Sequence, residues 1–270
     1  MTPFGARLHA LVAERGPLCA GIDPHPSLLE AWGLEDDING VERFALTAVE
    51  GFAPHVSCVK PQSAFFERHG SRGVAVLERV ISASRAAGAL VLLDVKRGDI
   101  GSTSQAYADA YLDPASPLAA DAITASPYLG VGSLDPMFET AQKHGAGVFV
   151  LALTSNKEGP EVQHARSGDR SVAGVVLDRL RALNADAQPL GSFGAVVGAT
   201  IGESDEDFNI NGPILAPGYG AQGGTDADLV RIFGSDGGNL VLPSSSRELL
   251  SAGPDPAALA RRLPAWRGND

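Results

Sequence analysis

The sequence holds only two cysteines, Cys19 and Cys58, each inside an apolar stretch (LCAGI and VSCVK). Thiols placed this way read as buried free side chains, which excludes a disulfide framework. No CxxC pair and no His/Cys cluster offers metal-ligand spacing, since His9, His25, His55, His69, His144 and His164 are scattered. No apolar run reaches the ~20 residues needed to cross a bilayer. The opening MTPFGARLHALVAERG lacks a signal-peptide core. Its Phe4, Leu8, Leu11 and Val12 sit at helical spacing instead. These absences lead to the expectation of a cytoplasmic protein with no membrane partner. Basic residues are in short supply too: 21 Lys and Arg face 32 Asp and Glu, a formal net charge of −11. That deficit argues against nucleic-acid binding by broad phosphate neutralisation. It still allows a small anion held by a few local bases against the long-range field. No low-complexity tract or linker divides the 270 residues, so one domain spanning 1–270 is expected.

What the chain does have is a rhythm of short apolar runs. They fall at Leu18–Ile22, Val56–Val59, Ala89–Leu93, Ala122–Thr124, Gly147–Leu153, Ala195–Val197, Pro213–Ala216 and Asn239–Leu242. None alternates with polar residues, as suits parallel strands buried on both faces. Helix-period segments lie between them. Val41, Phe44, Ala45, Ala48, Val49 and Phe52 form one stripe; Val74, Leu77 and Ile81 form another, with Ser71 as a candidate N-cap and Gly88 just past the end. Thr225 with Asp226 and Asp228 resembles a capping box, and Asp255–Pro256 opens a last helix through Leu259 and Leu263. Strand–helix alternation carried eight times predicts an α/β fold, a (β/α)8 or TIM barrel. The link between the sixth and seventh strands is tight: ESDEDFNING allows about two helical turns, with Ser204–Asp207 as the acidic start of that helix. A doubly wound open sheet is the alternative, but GIDPHPS after the first strand is not GxGxxG.

In a barrel, residues just after the strands share one rim, where barrel enzymes keep their active sites. Here that rim reads Asp23, Lys60, Asp94, Lys96, Ser126, Thr154, Gly218 and Arg247. A single strand-end charge is ordinary; polar groups after most strands point to a site. Asp94 and Lys96 are two apart, so strand geometry turns both to the interior, and Lys60 on the preceding strand is a candidate neighbour. The result is a Lys–Asp–Lys row with Asp99 just beyond. Each charge favours the ionised form of its opposite neighbours, so Lys96 is expected to remain an ammonium able to donate a proton. The bland alternative is an ion-pair network that only closes the barrel. APGYGAQGG, Ala216 to Gly224, suits either a backbone cradle for an anion or a closing lid. It can equally be a plain surface loop. Arg247, in LPSSSR after the eighth strand, has the fork for phosphate, and Tyr219 and Gln222 can add hydrogen bonds. His25 reads as a loop residue near the rim. Arg97 points away from the Asp94/Lys96 face, towards a structural role outside the barrel mouth.

DVKRGDIGST resembles the signature of the orotidine 5′-phosphate decarboxylase family. GIDP, VKPQSAFFE, TASPYLG, APGYGAQGG and SSSR extend the likeness over the chain, and the form is that of the longer bacterial subgroup. The resemblance implies a (β/α)8 barrel active as a homodimer with shared sites. It implies decarboxylation of orotidine 5′-phosphate to UMP, the last step of de novo UMP synthesis, with no metal and no organic cofactor. By resemblance, Lys96 donates the proton to C6, Asp94 sits against the departing carboxylate, and Lys60 holds Asp94 and approaches the ribose. Asp99, with Ile100 and Thr103, reaches into the partner subunit's site. Asp23 binds a ribose hydroxyl, Thr154 or Ser155 reads the uracil amide, and Gln222, Gly223 and Arg247 cradle the phosphate, with Gly218 on the adjoining loop as a further substrate-binding candidate. Ser126 departs from the family pattern, which has Asn there. Three alternatives remain. One is a related decarboxylase of a sugar-acid phosphate that uses magnesium. Another is a Schiff-base aldolase, which needs a neutral Lys96 that flanking carboxylates oppose. The last is a phosphate-ligand binder without catalysis.

Overall fold

The computed structural model describes residues 1–234 and 240–264. Its barrel strands are β1 (Cys19–Ile22), β2 (Cys58–Pro61), β3 (Leu90–Arg97), β4 (Ala122–Ala125), β5 (Gly147–Leu153), β6 (Phe193–Val197), β7 (Ile214–Pro217) and β8 (Val241–Ser245). They close a barrel in the order β1-β8-β7-β6-β5-β4-β3-β2. Every neighbouring pair is parallel. Each expected apolar run falls on one of these strands. Asn239, the expected start of the last, lies outside the described residues.

The unbroken apolarity of the runs reflects two cores. Outward residues such as Ile22, Val59, Val91, Leu93, Ile123, Val148, Val150 and Val197 pack under the helices. Inward residues Cys19, Cys58, Leu90, Leu92, Ala122, Phe149, Val196, Leu215 and Leu242 fill the lower barrel. Helix Phe4–Arg15 plugs that lower end with Phe4 and Leu8, the Phe4 ring meeting Phe149 edge-on at 5.9 Å. Arg7 fastens the plug to Asp121 Oδ1 at 2.6 Å and to the Gly145 carbonyl at 3.0 Å. Both cysteines are free and buried in this layer. The Cys58 thiol is pushed well above the usual range by its hydrogen bond to Cys19 and by burial.

Helices follow the strands at Ile38–Phe52, Gly70–Ala86, Gly101–Leu112, Asp135–His144, Val172–Asn184, Asp226–Phe233 and Pro256–Arg262. The stripe Val41 to Phe52 is buried throughout. Thr225 and Asp228 form the expected capping box, and Asp255 caps the last helix. Ser71 is not an N-cap. Gly70, at φ +64, turns the chain into the helix two residues earlier, so His69 takes the cap position and Ser71 sits exposed in the first turn. Among the described residues no helix is long and apolar enough to cross a membrane.

The expected helix at Ser204–Asp207 does not form; the chain from β6 to β7 is irregular. Side chains replace the helix in holding it. Phe208 and Ile210 enter the outer core. Buried Asn184 donates to the carbonyls of Phe193 (2.7 Å) and Ile210 (3.0 Å), and Arg181 donates to those of Asp207 and Asn209, both at 2.8 Å. The segment thus satisfies its backbone from neighbouring elements and has no need of its own helical bonds.

Candidate active site

The inward face of each strand continues upward past the apolar layer. On β3 the inward series Leu90, Leu92 is followed by Asp94; on β2 Cys58 is followed by Lys60; on β4 Ala122 is followed by Thr124. The polar residues are therefore the next storey of the same interior face. Together with Asp23, Gln62, Ser244, Gly218, Gln222 and Arg247 they line a cavity of about 410 Å³ at the carboxyl ends of the strands.

Asp94 is its centre. Lys60 Nζ lies 3.0 Å from Oδ2, Lys96 Nζ 2.6 Å from Oδ1, and the Thr124 hydroxyl 2.8 Å from Oδ1. Burial opposes the charge on Asp94, but the two ammonium groups and the Thr124 hydrogen bond hold its carboxyl well below the usual range. Burial likewise opposes the charge on Lys60, and the carboxylates of Asp94 and Asp23 outweigh it, leaving Lys60 raised above the ordinary lysine value. Lys96 differs from Lys60 in access. Its side chain is 46 % exposed at the mouth, against 7 % for Lys60, so Lys96 is the one that can meet a ligand end-on.

The strand carrying this pair is not regular. Leu93 pairs with Ile123 and Arg97 with Ala125, so Asp94, Val95 and Lys96 bulge opposite the single residue Thr124. Lys96 adopts φ +44 there, a left-handed conformation that costs a non-glycine residue roughly 1–2 kcal/mol. The Thr124 hydroxyl accepts the Lys96 backbone N–H at 2.9 Å. Arg97 turns outward as expected. It donates to Glu67 Oε1 at 2.6 Å and lies over the Tyr107 ring, 5.7 Å from its centroid.

The remaining wall is the loop from Pro217 to Gly224. Gly218 and Gly223, at φ +96 and +93, make its turns. The N–H groups of Gly220, Gly223 and Gly224 are bonded to carbonyls within the loop, so the expected backbone cradle is smaller than its glycine content suggests. Tyr219 donates to Asp226 Oδ1 at 2.7 Å. Burial and that bond push its pKa up to about 12.

Of the residues singled out from the sequence, Asp23, Lys60, Asp94, Lys96, Thr154, Ser155, Gly218, Gln222 and Arg247 line the cavity. Asp23 Oδ1 is buried there without a hydrogen-bond partner among the described residues. Gly223 is exposed on the 217–224 loop and is not among the residues lining the cavity. Asp99, Ile100 and Thr103 lie outside it, with Asp99 Oδ1 accepting the Ile100 N–H at 2.8 Å and Ile100 62 % exposed. Ser126 lines a neighbouring cavity with Tyr128, Val131, Thr154 and Val162. Its N–H bonds the Arg97 carbonyl at 2.8 Å. Thr124 was missed, because a Thr inside an apolar run carries no signal until its neighbours are known. His25 is a loop residue at the rim, as expected, and lines the cavity against Phe65, ring centroids 5.7 Å apart. Three bases, Lys60, Lys96 and Arg247, face two acids, Asp23 and Asp94. The cavity therefore suits an anion despite the acidic chain. Among the described residues no three His, Cys, Asp or Glu side chains converge as a metal site.

Comparison with known proteins agrees over the whole barrel. The family model described as "Orotidine 5′-phosphate decarboxylase / HUMPS family" matches residues 16–263. An orotidine 5′-phosphate decarboxylase from Nocardioides sp. is 73 % identical over 254 residues, 93 % of this chain and 92 % of that protein. A crystal structure from Streptomyces avermitilis, provisionally named for the same enzyme, superposes with a TM-score of 0.93 at 59 % identity, covering 97 % of this chain and 92 % of that one. The Leishmania donovani OMP decarboxylase structure gives 0.73 at 32 % identity, covering 96 % and 95 %.

Proposed function

The chain belongs to the orotidine 5′-phosphate decarboxylase / HUMPS family, and we propose that it converts orotidine 5′-phosphate to UMP and carbon dioxide through Lys60, Asp94 and Lys96. This is the last step of de novo UMP synthesis. The observation that carries the reading is the charge row at the cavity floor, with Lys96 exposed to the mouth at 2.6 Å from Asp94.

The chemistry follows from that geometry. Breaking the bond between C6 and the carboxylate leaves an electron pair on C6 with no ring π-orbital placed to accept it. A fixed ammonium beside C6 stabilises the developing charge without reorganising. Lys96 Nζ then passes a proton to C6, carbon dioxide leaves, and the amine regains its proton from solvent. Asp94 faces the substrate carboxylate, and repulsion between the two is relieved as carbon dioxide departs. Lys60 and Thr124 keep Asp94 ionised and in place. Asp23, whose Oδ1 lacks a partner among the described residues, accepts a ribose hydroxyl. Arg247 and Gln222 take the phosphate, whose binding energy draws the 217–224 loop over the site and excludes water. Ser155 is favoured over Thr154 for the uracil amide. The Thr154 hydroxyl already donates to Asn156 at 2.7 Å and accepts from Gln163 at 2.6 Å, whereas Ser155 is exposed in the cavity wall.

Asp99, Ile100 and Thr103 serve the site of a second subunit. Their position outside the cavity supports this, as do the exposed Ile100, Tyr128 and Leu129 on the adjoining β3 and β4 loops. The deciding experiment follows the loss of orotidine 5′-phosphate absorbance in buffer containing EDTA. Turnover there supports the reading and eliminates a magnesium-dependent sugar-acid phosphate decarboxylase. Lack of turnover with and without magnesium refutes it.

A further inference from the structure

We propose that Thr124 is a positioning residue for the reaction: one hydroxyl holds both the Asp94 carboxylate and the Lys96 main chain, and so aims the lysine at the reacting carbon. This rests on the reading of Asp94 and Lys96 as the reacting pair.

The direction of each hydrogen bond is settled by elementary donor counting. A backbone N–H can only donate, so at 2.9 Å from Lys96 N the hydroxyl must accept. Its single proton is then left for Asp94 Oδ1, 2.8 Å away. A valine in this place would leave Lys96 N–H and Asp94 Oδ1 one bond short each. Water cannot stand in, because Thr124 is 1 % exposed.

The backbone explains why a side chain is needed there. Three residues of β3 face Thr124 alone between the paired positions Leu93–Ile123 and Arg97–Ala125, so the regular ladder partner of Lys96 N–H is lost. Lys96 is also one of two non-glycine residues at positive φ among the described residues, Asn211 being the other. An asparagine tolerates that region through its short polar side chain; a lysine must be held by its surroundings. The hydroxyl supplies the missing acceptor and ties the held backbone to the carboxylate that the Lys96 Nζ also contacts at 2.6 Å. The Thr124 hydroxyl thus links the bulged, positive-φ backbone to the carboxylate oxygen of the ion pair.

The test compares Thr124→Val with Thr124→Ser by steady-state decarboxylation of orotidine 5′-phosphate and by calorimetric UMP binding. A misplacement of about 1 Å at a reacting group can cost about a hundredfold in rate. Thr124→Val should therefore lower kcat by at least about tenfold, while KM and UMP affinity stay within about threefold of wild type. Thr124→Ser, which keeps the oxygen, should stay within about threefold in all three. If Thr124→Val does not fold, Thr124→Ala against Thr124→Ser gives the same comparison. An unimpaired kcat in the hydroxyl-free variant overturns the proposal. So does a parallel loss of kcat and UMP affinity that serine fails to restore, which is the mark of packing alone. Wild-type protein without turnover sinks the functional reading itself, whereas active wild type with an equally active Thr124→Val sinks only this inference.

Discussion

Asp94→Asn removes one charge from the centre of the barrel and replaces one accepting oxygen by an NH2 donor that must face Lys60, or Lys96 and Thr124. The side chains match in shape, so no cavity opens. The carboxylate lies 3.0 Å from Lys60 Nζ. At an effective dielectric of about 20, unit charges at that separation attract by about 5.5 kcal/mol. The cost of burying both charges offsets much of this in the native protein. Removing only one partner leaves the other's burial uncompensated, which costs ~3–5 kcal/mol. The contact to half-exposed Lys96 adds little, because water screens it. Asp94→Asn is therefore expected to lose ~3–5 kcal/mol of stability at neutral pH, read by urea unfolding. The sign of the pH dependence follows from the depressed pKa of Asp94. Its stabilisation is present above the unfolded carboxyl value of ~3.9 and is lost as pH falls through the lower folded value. The gap between wild type and variant should hold at neutral pH and narrow below about pH 4. Lys60→Met completes a double-mutant cycle, in which the pair should show at least ~2 kcal/mol of coupling. A variant as stable as wild type at neutral pH, or effects additive within ~0.5 kcal/mol, would refute the argument.

Lys96→Ala should lower turnover by ~10³-fold or more, since in the proposed reaction Lys96 supplies both the charge at C6 and the proton, while UMP binding measured by calorimetry persists. Near-normal turnover would remove Lys96 from the chemistry. Asp99→Ala and Lys96→Ala proteins, each inactive alone, should regain partial activity on mixing, because in the proposed shared-site dimer a mixed pair contains one site with neither lesion. No recovery despite demonstrated subunit exchange counts against a shared site. Asn184→Leu should destabilise the fold by ~2–4 kcal/mol, as it leaves the Phe193 N–H and the Phe193 and Ile210 carbonyls unpaired in the interior; an unchanged urea midpoint would show the 198–213 segment to be held otherwise.

Much of the architecture was legible one element at a time. Eight unalternating apolar runs imply strands buried on both faces, and only a sheet covered on both faces or closed on itself provides that burial. The caps at Thr225 and Asp255 are local chemistry, set by residues within three positions, and both formed where their sequence indicated. Lys60, Asp94 and Lys96 could be grouped because strand alternation is a local rule and the rim of a parallel barrel collects strand ends. Ser71 and the acidic stretch at 204–207 misled for the opposite reason. Helix-start chemistry was present, but a turn at Gly70 in one case, and tertiary partners Asn184 and Arg181 in the other, gave the backbone a better arrangement.

By itself, then, the amino-acid order determined that Asp94 and Lys96 share one face, which follows from the two-residue period of a strand, and which charges stand just past the apolar runs. The tertiary structure alone decided how those charges are held. The bulge of Asp94–Lys96 against Thr124, the positive φ of Lys96 and the hydroxyl serving two partners depend on β3 and β4 lying side by side. Thr124 is 28 residues from Lys96 in the chain, and no local pattern can encode a hydrogen bond across that distance before the barrel closes.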